Sequence, residues 1–97
     1  MSVPKAPTEH FTVLYFASAS SHTGKQHDFL QAPLKITELY DALDKRYPEF
    51  KKKVLDSAAV TVNLEYVDLD EESEKGEKCA VLEAGDEVAI IPPVSSG

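Results

Sequence analysis

The sequence predicts an α+β domain in which a mixed β-sheet is crossed by one main helix. The run Phe11 to Ala17 is apolar on both alternating faces apart from Thr12, as expected of a central strand that is covered on each side. A helical pattern follows from Ile36 to Tyr47, and three more strand-like runs come after it. A chain of 97 residues has room for one modest core, so we expect a single domain.

The first third of the chain contains the leader and the first two strands. Residues 1–10 hold two prolines and no periodicity, which predicts a flexible leader before a folded domain at residues 11–93. Ser18 to Lys25 is polar and is interpreted as a turn. Asp28 to Leu34 is a weaker strand, which Pro33 places toward an edge of the sheet. The first two strands should therefore pair as a hairpin.

The predicted helix is amphipathic. Thr37 is its expected N-cap, and Glu38 lies in the first turn, where the helix dipole favours an acid. Pro48 ends the helix, and a second short helical turn is expected from Glu49 to Leu55. The side chains that recur at helical spacing, and that should pack on the sheet, are Ile36, Leu39, Tyr40, Leu43 and Tyr47.

The second half of the chain alternates between strands and polar connections. Asp68 to Lys78 carries six acids and predicts a solvated loop. Cys79 to Leu82 and Val88 to Ile91 predict two short strands with a turn between them. Ala59 to Val67 predicts one strand whose buried face holds Val60, Val62, Leu64 and Tyr66. The order β, β, α, β, β, β is that of a β-grasp domain.

Composition excludes several function classes. The formal charge of −7, from 17 acidic and 10 basic residues, disfavours binding to nucleic acid and to anionic membranes, and it suits a basic protein partner. No apolar run approaches the roughly 18 residues of a membrane span, and the start of the chain lacks the core of a secretory signal. We therefore expect a cytosolic protein.

Cys79 is the single cysteine, so an internal disulfide and a zinc ribbon are excluded, and a buried structural thiol is expected.

The sequence contains no catalytic or metal-binding constellation that we can defend. The fragment His22 to Gln26 lacks the first glycine and the Ser/Thr of a phosphate loop. His10, His22 and His27 do not have the spacing of metal ligands, and the acidic run from Asp68 to Lys78 lacks the pattern of a calcium loop. Ser95 and Ser96 have no nearby histidine that could act as a base. The chain is therefore expected to bind no metal or cofactor itself.

The last residues are the exception. Pro92 and Pro93 cannot donate to a sheet ladder and stop the last strand. Residues 94–97 are Val94, Ser95, Ser96 and Gly97, and four residues reach roughly 14 Å when extended, enough to enter a partner's pocket. Two interpretations remain open at this point: a frayed end, which is common, or a reactive tail whose group is the unhindered Gly97 carboxylate.

Residues Gly85 to Gly97, G-D-E-V-A-I-I-P-P-V-S-S-G, resemble the C-terminus of the small subunit of molybdopterin synthase, a ubiquitin-like sulfur carrier. That family's pattern is G-D-E-V-A, two apolar residues, P-P-V, a small residue and Gly-Gly. The resemblance extends to Val13–Ala17, Leu39–Leu43 and the pair Val62-Asn63. Ser96 stands where the family has glycine, and its side chain restricts the backbone in a segment that must be threaded.

This resemblance implies a non-catalytic carrier in a sulfurtransferase complex. A ubiquitin-activating-type adenylyltransferase would use ATP to adenylate Gly97, whose thiocarboxylate would then donate sulfur to cyclic pyranopterin monophosphate in the active site of the large subunit, within a heterotetramer. Phe16, Tyr66 and Ile91 match positions that contact the large subunit, although a core position is the alternative for each. A ubiquitin-like protein modifier or binding module, or a sulfur carrier for thiolated tRNA or thiamine, remains a competing hypothesis.

Overall fold

The structure is a computed structural model, and it describes residues 5–93. Within these residues the strands are β1 (His10–Tyr15), β2 (His27–Gln31), β3 (Leu34–Lys35), β4 (Ala59–Val62), β5 (Glu65–Val67), β6 (Val81–Leu82) and β7 (Glu87–Ile91). The α-helices of the same region are α1 (Ser18–Thr23), α2 (Leu39–Arg46), α3 (Phe50–Lys53) and α4 (Leu69–Glu74). Short 3-10 turns span Ile36–Glu38, Leu55–Ser57 and Gly76–Lys78.

Five strands form one mixed sheet in the order β2-β1-β7-β4-β5. The central strand β7 is parallel to its neighbour β1, with Val13 opposite Val88, while the other neighbouring strands are antiparallel. The short strands β3 and β6 pair separately and antiparallel. This arrangement confirms the predicted α+β, β-grasp fold, including the hairpin of β1 and β2.

The core lies between the sheet and the helices. Phe11 and Val13 from β1 and Ile90 from β7 are fully buried on the inner face of the sheet. Leu39 and Leu43 of α2 are fully buried in the same cluster. Each such side chain contributes roughly 1.5–3 kcal/mol when it leaves water, so α2 is held on the sheet by its apolar face, as predicted.

The predicted polar turn at Ser18 to Lys25 is wrong, because most of it forms helix α1. Gly24 ends this helix with a left-handed φ of 73°, and its N–H donates to the carbonyl of Ser20 at 2.9 Å. Ala19 is buried and anchors the helix on the core. A single small apolar residue leaves almost no periodic signal in the sequence.

Two boundaries also differ from prediction. Thr37 makes no N-cap hydrogen bond, since the chain enters the helix through a 3-10 turn and α2 begins at Leu39. The second strand ends at Gln31, and Leu34 belongs to β3, which pairs with β6. The expected short helical turn after Pro48 is confirmed by α3.

The predicted single strand at Ala59 to Val67 is wrong. It is a hairpin of β4 and β5, whose two-residue turn places Asn63 and Leu64 at φ values of 51° and 73°. Asn63 is suited to this region of φ, and it fixes the turn by donating from Nδ2 to Asp86 Oδ1 at 3.1 Å and accepting the Glu87 N–H at Oδ1 at 3.0 Å. The asparagine was the available signal for this turn.

The predicted solvated loop at Asp68 to Lys78 is also wrong, because it contains α4. Asp68 caps this helix by accepting hydrogen bonds from the N–H groups of Asp70 and Glu71 at 2.9 and 3.2 Å. Glu72 is buried, and it accepts from the Ala80 N–H and from Lys75 Nζ, both at 2.6 Å. The Lys75 ammonium and the Ala80 N–H hold the pKa of Glu72 below its usual value. Acids therefore form and dock this helix rather than solvate a loop.

Cys79 is buried, as predicted, although it lies just before β6 rather than within it. None of the helices found in residues 5–93 has the length and apolar character needed to span a membrane.

Candidate functional site

The candidate site is the side of the five-stranded sheet that faces away from the core. Along each strand, alternate side chains point to opposite faces, and the paired registers show which positions share a side. We call this surface the open face; its exposed or half-buried members are Leu14, Phe16, Phe29, Tyr66, Ala89 and Ile91. Thr12 and Thr61 lie on the same side of the sheet but are buried between their neighbours.

Phe16 lies beside the point where the chain leaves the sheet. Tyr15 is opposite Ile90 in the parallel pair, and the Phe16 N–H donates to the Ile90 carbonyl at 3.2 Å. Phe16 is therefore the neighbour of Ile91, the last residue of β7. Phe16 is 48% exposed and Ile91 is half-buried, so both contribute to the open face.

Two prolines follow this pair. Pro92 is buried and Pro93 is exposed, so the first is held against the domain and the second leaves it. Both follow β7 directly, in agreement with their predicted role in ending the strand. The predictions for Val94, Ser95, Ser96 and Gly97 lie outside the described residues.

Tyr66 is on the same face, two strands away from β7. It is opposite Thr61 of β4, and Thr61 is opposite Ala89 of β7. At 77% exposure, Tyr66 is not a core residue, so that alternative is wrong. The two-residue turn causes the change: it makes Val62 and Glu65 opposite partners, which turns Tyr66 to the side away from Val60 and Val62. The structure thus brings Phe16, Tyr66 and Ile91 onto one face.

The open face has the composition of a binding surface. Its strand positions within the described chain carry no Lys or Arg, and Glu87 is an acid at the end of β7 remote from the tail. Large exposed aromatic side chains on a sheet are typical of protein interfaces. In residues 5–93 there is no group of three His, Cys, Asp or Glu side chains that could hold a metal ion. His10 and His22 instead contact the carbonyls of Thr8 and Pro48.

A groove of about 690 Å³ lies beside Tyr66, between helix α2 and helix α4. Its walls include Asp56, Asp68 and Asp70, with Lys51 as a single basic residue. Tyr40 also lines it, and burial together with the nearby Asp56 raises the pKa of Tyr40 to about 12. The phenol is therefore neutral at ordinary pH, and the groove has a net acidic lining.

Below the sheet, Asp28 forms a buried polar cluster that sequence reasoning missed. Its Oδ2 accepts from the hydroxyls of Tyr15, at 2.9 Å, and Tyr47, and its Oδ1 faces Lys25 Nζ at 3.3 Å and an Arg46 nitrogen at 3.6 Å. Burial alone would raise the pKa of Asp28, but the two hydroxyls and Lys25 hold it below its usual value. The signal was an acid directly before the apolar pair Phe29 and Leu30 in a predicted strand.

This cluster connects β1 and β2 to the end of α2. Burial first, and then the neighbouring Asp28 carboxylate, raise the pKa of Tyr15 far above its usual value. The phenol therefore stays protonated and serves as a hydrogen-bond donor. Because each polar side chain has a partner, we interpret the cluster as structural.

Comparison with known proteins gives a consistent result. Residues 13–97 match the ThiS family. The molybdopterin synthase sulfur carrier subunit of Phaeosphaeria nodorum is 56% identical over 97 residues, covering 100% of both chains.

Solved structures give the same architecture. A protein of Pyrococcus furiosus, described as a candidate molybdopterin converting factor subunit 1, superposes with a TM-score of 0.69 at 26% identity, covering 90% of this chain and 100% of that one. A chain in the complex of subunits 1 and 2 of the molybdopterin-converting factor from Helicobacter pylori gives a TM-score of 0.59 at 22% identity, covering 91% of this chain and 99% of that one. The second likeness shows the fold alone.

Proposed function

This chain belongs to the ThiS family, and we propose that it is the sulfur-carrier subunit of a molybdopterin synthase. The observation that carries the proposal is its 56% identity, over the full length of both chains, to a relative with that name. The proposal is also supported by the position of Pro92, which is buried directly after β7. The segment from Pro93 onward therefore starts from a fixed point beside Phe16.

The proposed reaction takes place at Gly97. A carboxylate is a poor electrophile, so an adenylyltransferase partner would use ATP to convert it to an acyl adenylate, with release of pyrophosphate. Attack by sulfur at the sulfide level would then form the C–S bond, break the bond to phosphate, release AMP and leave a thiocarboxylate. The sulfur of this group would act as the nucleophile toward cyclic pyranopterin monophosphate, and two turnovers would complete the dithiolene. The chain itself would bind no cofactor and would work in the cytosol.

The proposed partner for the open face is the large subunit. Phe16 and Ile91 flank the point where the tail begins, and Tyr66 lies across the same surface. A partner that buries these side chains would therefore receive the tail from the edge of its own contact surface. Aromatic side chains of this kind carry much of the binding energy at protein interfaces. Catalytic acids, bases and anion-binding groups would come from the large subunit.

The test uses the full chain, a family adenylyltransferase, ATP and a sulfur donor, followed by intact mass spectrometry. The expected result is replacement of one oxygen atom by sulfur. A chain that lacks Gly97 is the matched control and should not change in mass. The Ser96→Gly variant tests the departure from the family pattern, because glycine removes the side chain that restricts threading.

The loaded chain is then mixed with the large subunit and cyclic pyranopterin monophosphate, and molybdopterin is measured. No sulfur incorporation in either the native chain or Ser96→Gly would overturn the proposal. Amide conjugates to lysines of other proteins would instead establish the competing role as a protein modifier.

A further inference from the structure

Leu64 occupies an unusual position at the tip of the hairpin formed by β4 and β5. It is 86% exposed, more than any other large hydrophobic residue within residues 5–93. Its φ of 73° also lies in the left-handed region, which disfavours side chains such as leucine and which glycine, asparagine or aspartate normally occupies at hairpin turns. The native conformation of Leu64 is thus unfavourable in both its backbone and its solvent exposure.

The fold does not account for this residue. Its neighbour Asn63 also has a positive φ, but the side chain of Asn63 fixes the turn through its hydrogen bonds to Asp86 and Glu87. The side chain of Leu64 lies outside the hydrophobic core. An observed backbone outlier with no role in folding is grounds for inferring a functional role.

The hairpin tip continues the open face. Ala59 is opposite Ile91, and Val62 is opposite Val88, so the turn lies at the end of the sheet remote from the tail. Along the strands, four residues separate the turn from the end of the sheet where the tail begins, a distance of about 13 Å. Across the strands, three spacings separate β1 from β5 by roughly 14 Å. A standard interface of about 800 Å² per partner is roughly 30 Å across. A partner that covers Phe16 and Tyr66 therefore also reaches Leu64.

The charges around the tip specify the chemistry of the partner. Glu65 follows Leu64 directly, and Asp86 and Glu87 are held beside Asn63 by its side chain. An apolar side chain with acidic neighbours is complementary to an apolar pocket that has Lys or Arg at its rim.

We infer that Leu64 is a further anchor for the large subunit, and that it inserts into an apolar pocket with a basic rim at the end of the interface remote from the tail. This inference rests on the proposed function. The hairpin turn keeps an unfavourable residue because its side chain is buried in the complex, not in the free domain.

The experiment measures the Kd of the full-length chain for the large subunit by isothermal titration calorimetry, together with the Tm of each free chain. Leu64→Asn and Leu64→Gly place residues at the turn that tolerate a positive φ. Val81→Ser is the matched control, since Val81 is also an exposed hydrophobic residue, at 43%, but lies on the separate strand β6.

Both Leu64 variants are expected to bind about 10- to 100-fold more weakly, which corresponds to the loss of one buried leucine side chain. Their Tm should be unchanged or higher, and Val81→Ser should bind like the native chain. An unchanged Kd in the Leu64 variants, or a fall in their Tm, would overturn the inference while leaving the proposed function standing. Failure of the native chain to bind the large subunit would overturn both.

Discussion

Removing the carboxylate of Asp28 by the substitution Asp28→Ala should destabilise the domain by about 2–4 kcal/mol. The buried Tyr15 hydroxyl and the partly buried Tyr47 hydroxyl both lose their acceptor. A buried donor left without a partner costs about 1–3 kcal/mol, and the cost for Tyr47 is smaller because water can reach it. Lys25 and Arg46 are largely exposed and add little.

A double-mutant cycle separates the hydrogen bond from packing. Tyr15→Phe alone removes the donor and is expected to cost about 1–2 kcal/mol. In the double variant no hydroxyl of Tyr15 remains unpaired, so the total loss should be smaller than the sum of the two single losses by about 1 kcal/mol or more. Urea unfolding followed by circular dichroism gives the free energy of unfolding of each variant, provided that the m value is the same for all of them. Additive losses would refute the assignment of Asp28 as the acceptor for Tyr15.

The pH dependence provides a second check with a defined sign. The folded pKa of Asp28 is lowered, so its stabilisation is present above the unfolded value of about 3.9 and is lost as pH falls through the folded pKa. The folded pKa of Tyr15 is raised, so its contribution is present below about pH 10 and is lost as pH rises above that value. Asp28→Ala should flatten the acid side of the stability profile, and Tyr15→Phe the alkaline side.

Three other predictions follow from the surface and the turns. Tyr66→Ser and Phe16→Ser should each weaken binding to the large subunit at least about 10-fold in calorimetry. Tyr66→Ser should change the free energy of unfolding by no more than about 0.5 kcal/mol, because Tyr66 is exposed. Kd values equal to that of the native chain would exclude these residues from the interface. Glu72→Ala should lower the Tm because the Ala80 N–H loses its acceptor, and an unchanged thermal scan would restore the solvated-loop interpretation. Asn63→Ala should lower the free energy of unfolding by about 1–3 kcal/mol, as measured by urea unfolding, because it removes two hydrogen bonds at a residue with a positive φ. An unchanged free energy would show that the turn does not depend on the Asn63 side chain.

The elements that were predicted correctly have strong local patterns. Phe11 to Ala17 predicts β1 because its alternate residues Phe11, Val13 and Tyr15 are apolar and lie in the core. The expectation that its other face is also covered is wrong, since Leu14 and Phe16 belong to the open face. The helical spacing of Leu39 and Leu43 predicts α2 because that period places both on one face. The strand before Pro92 also depends on a short apolar run with a clear end. In each case the deciding information lies within a few neighbouring residues.

The elements that were missed depend on contacts between distant residues. Helix α4 docks because Glu72 accepts the N–H of Ala80, beyond the end of the helix, and composition alone cannot indicate that bond. The cluster at Asp28 joins β1, β2 and the end of α2, through Tyr15 and Tyr47. These partners of Glu72 and Asp28 lie eight or more residues away along the chain. Glu72 was therefore interpreted as solvated, and Asp28 was left unexplained.

The amino-acid sequence by itself determined the fold class, the main helix and the resemblance that identified the family and the proposed reactive group. Only the tertiary structure decided which side chains form the open face. The alternating run from Ala59 to Val67 is compatible with one long strand, and in that case Tyr66 would be buried with Val60. The two-residue turn at Asn63 and Leu64 reverses the chain and offsets the alternation by one residue, so that Tyr66 faces outward. Asn63 selects that turn through hydrogen bonds to Asp86 and Glu87, residues that only folding brings to it.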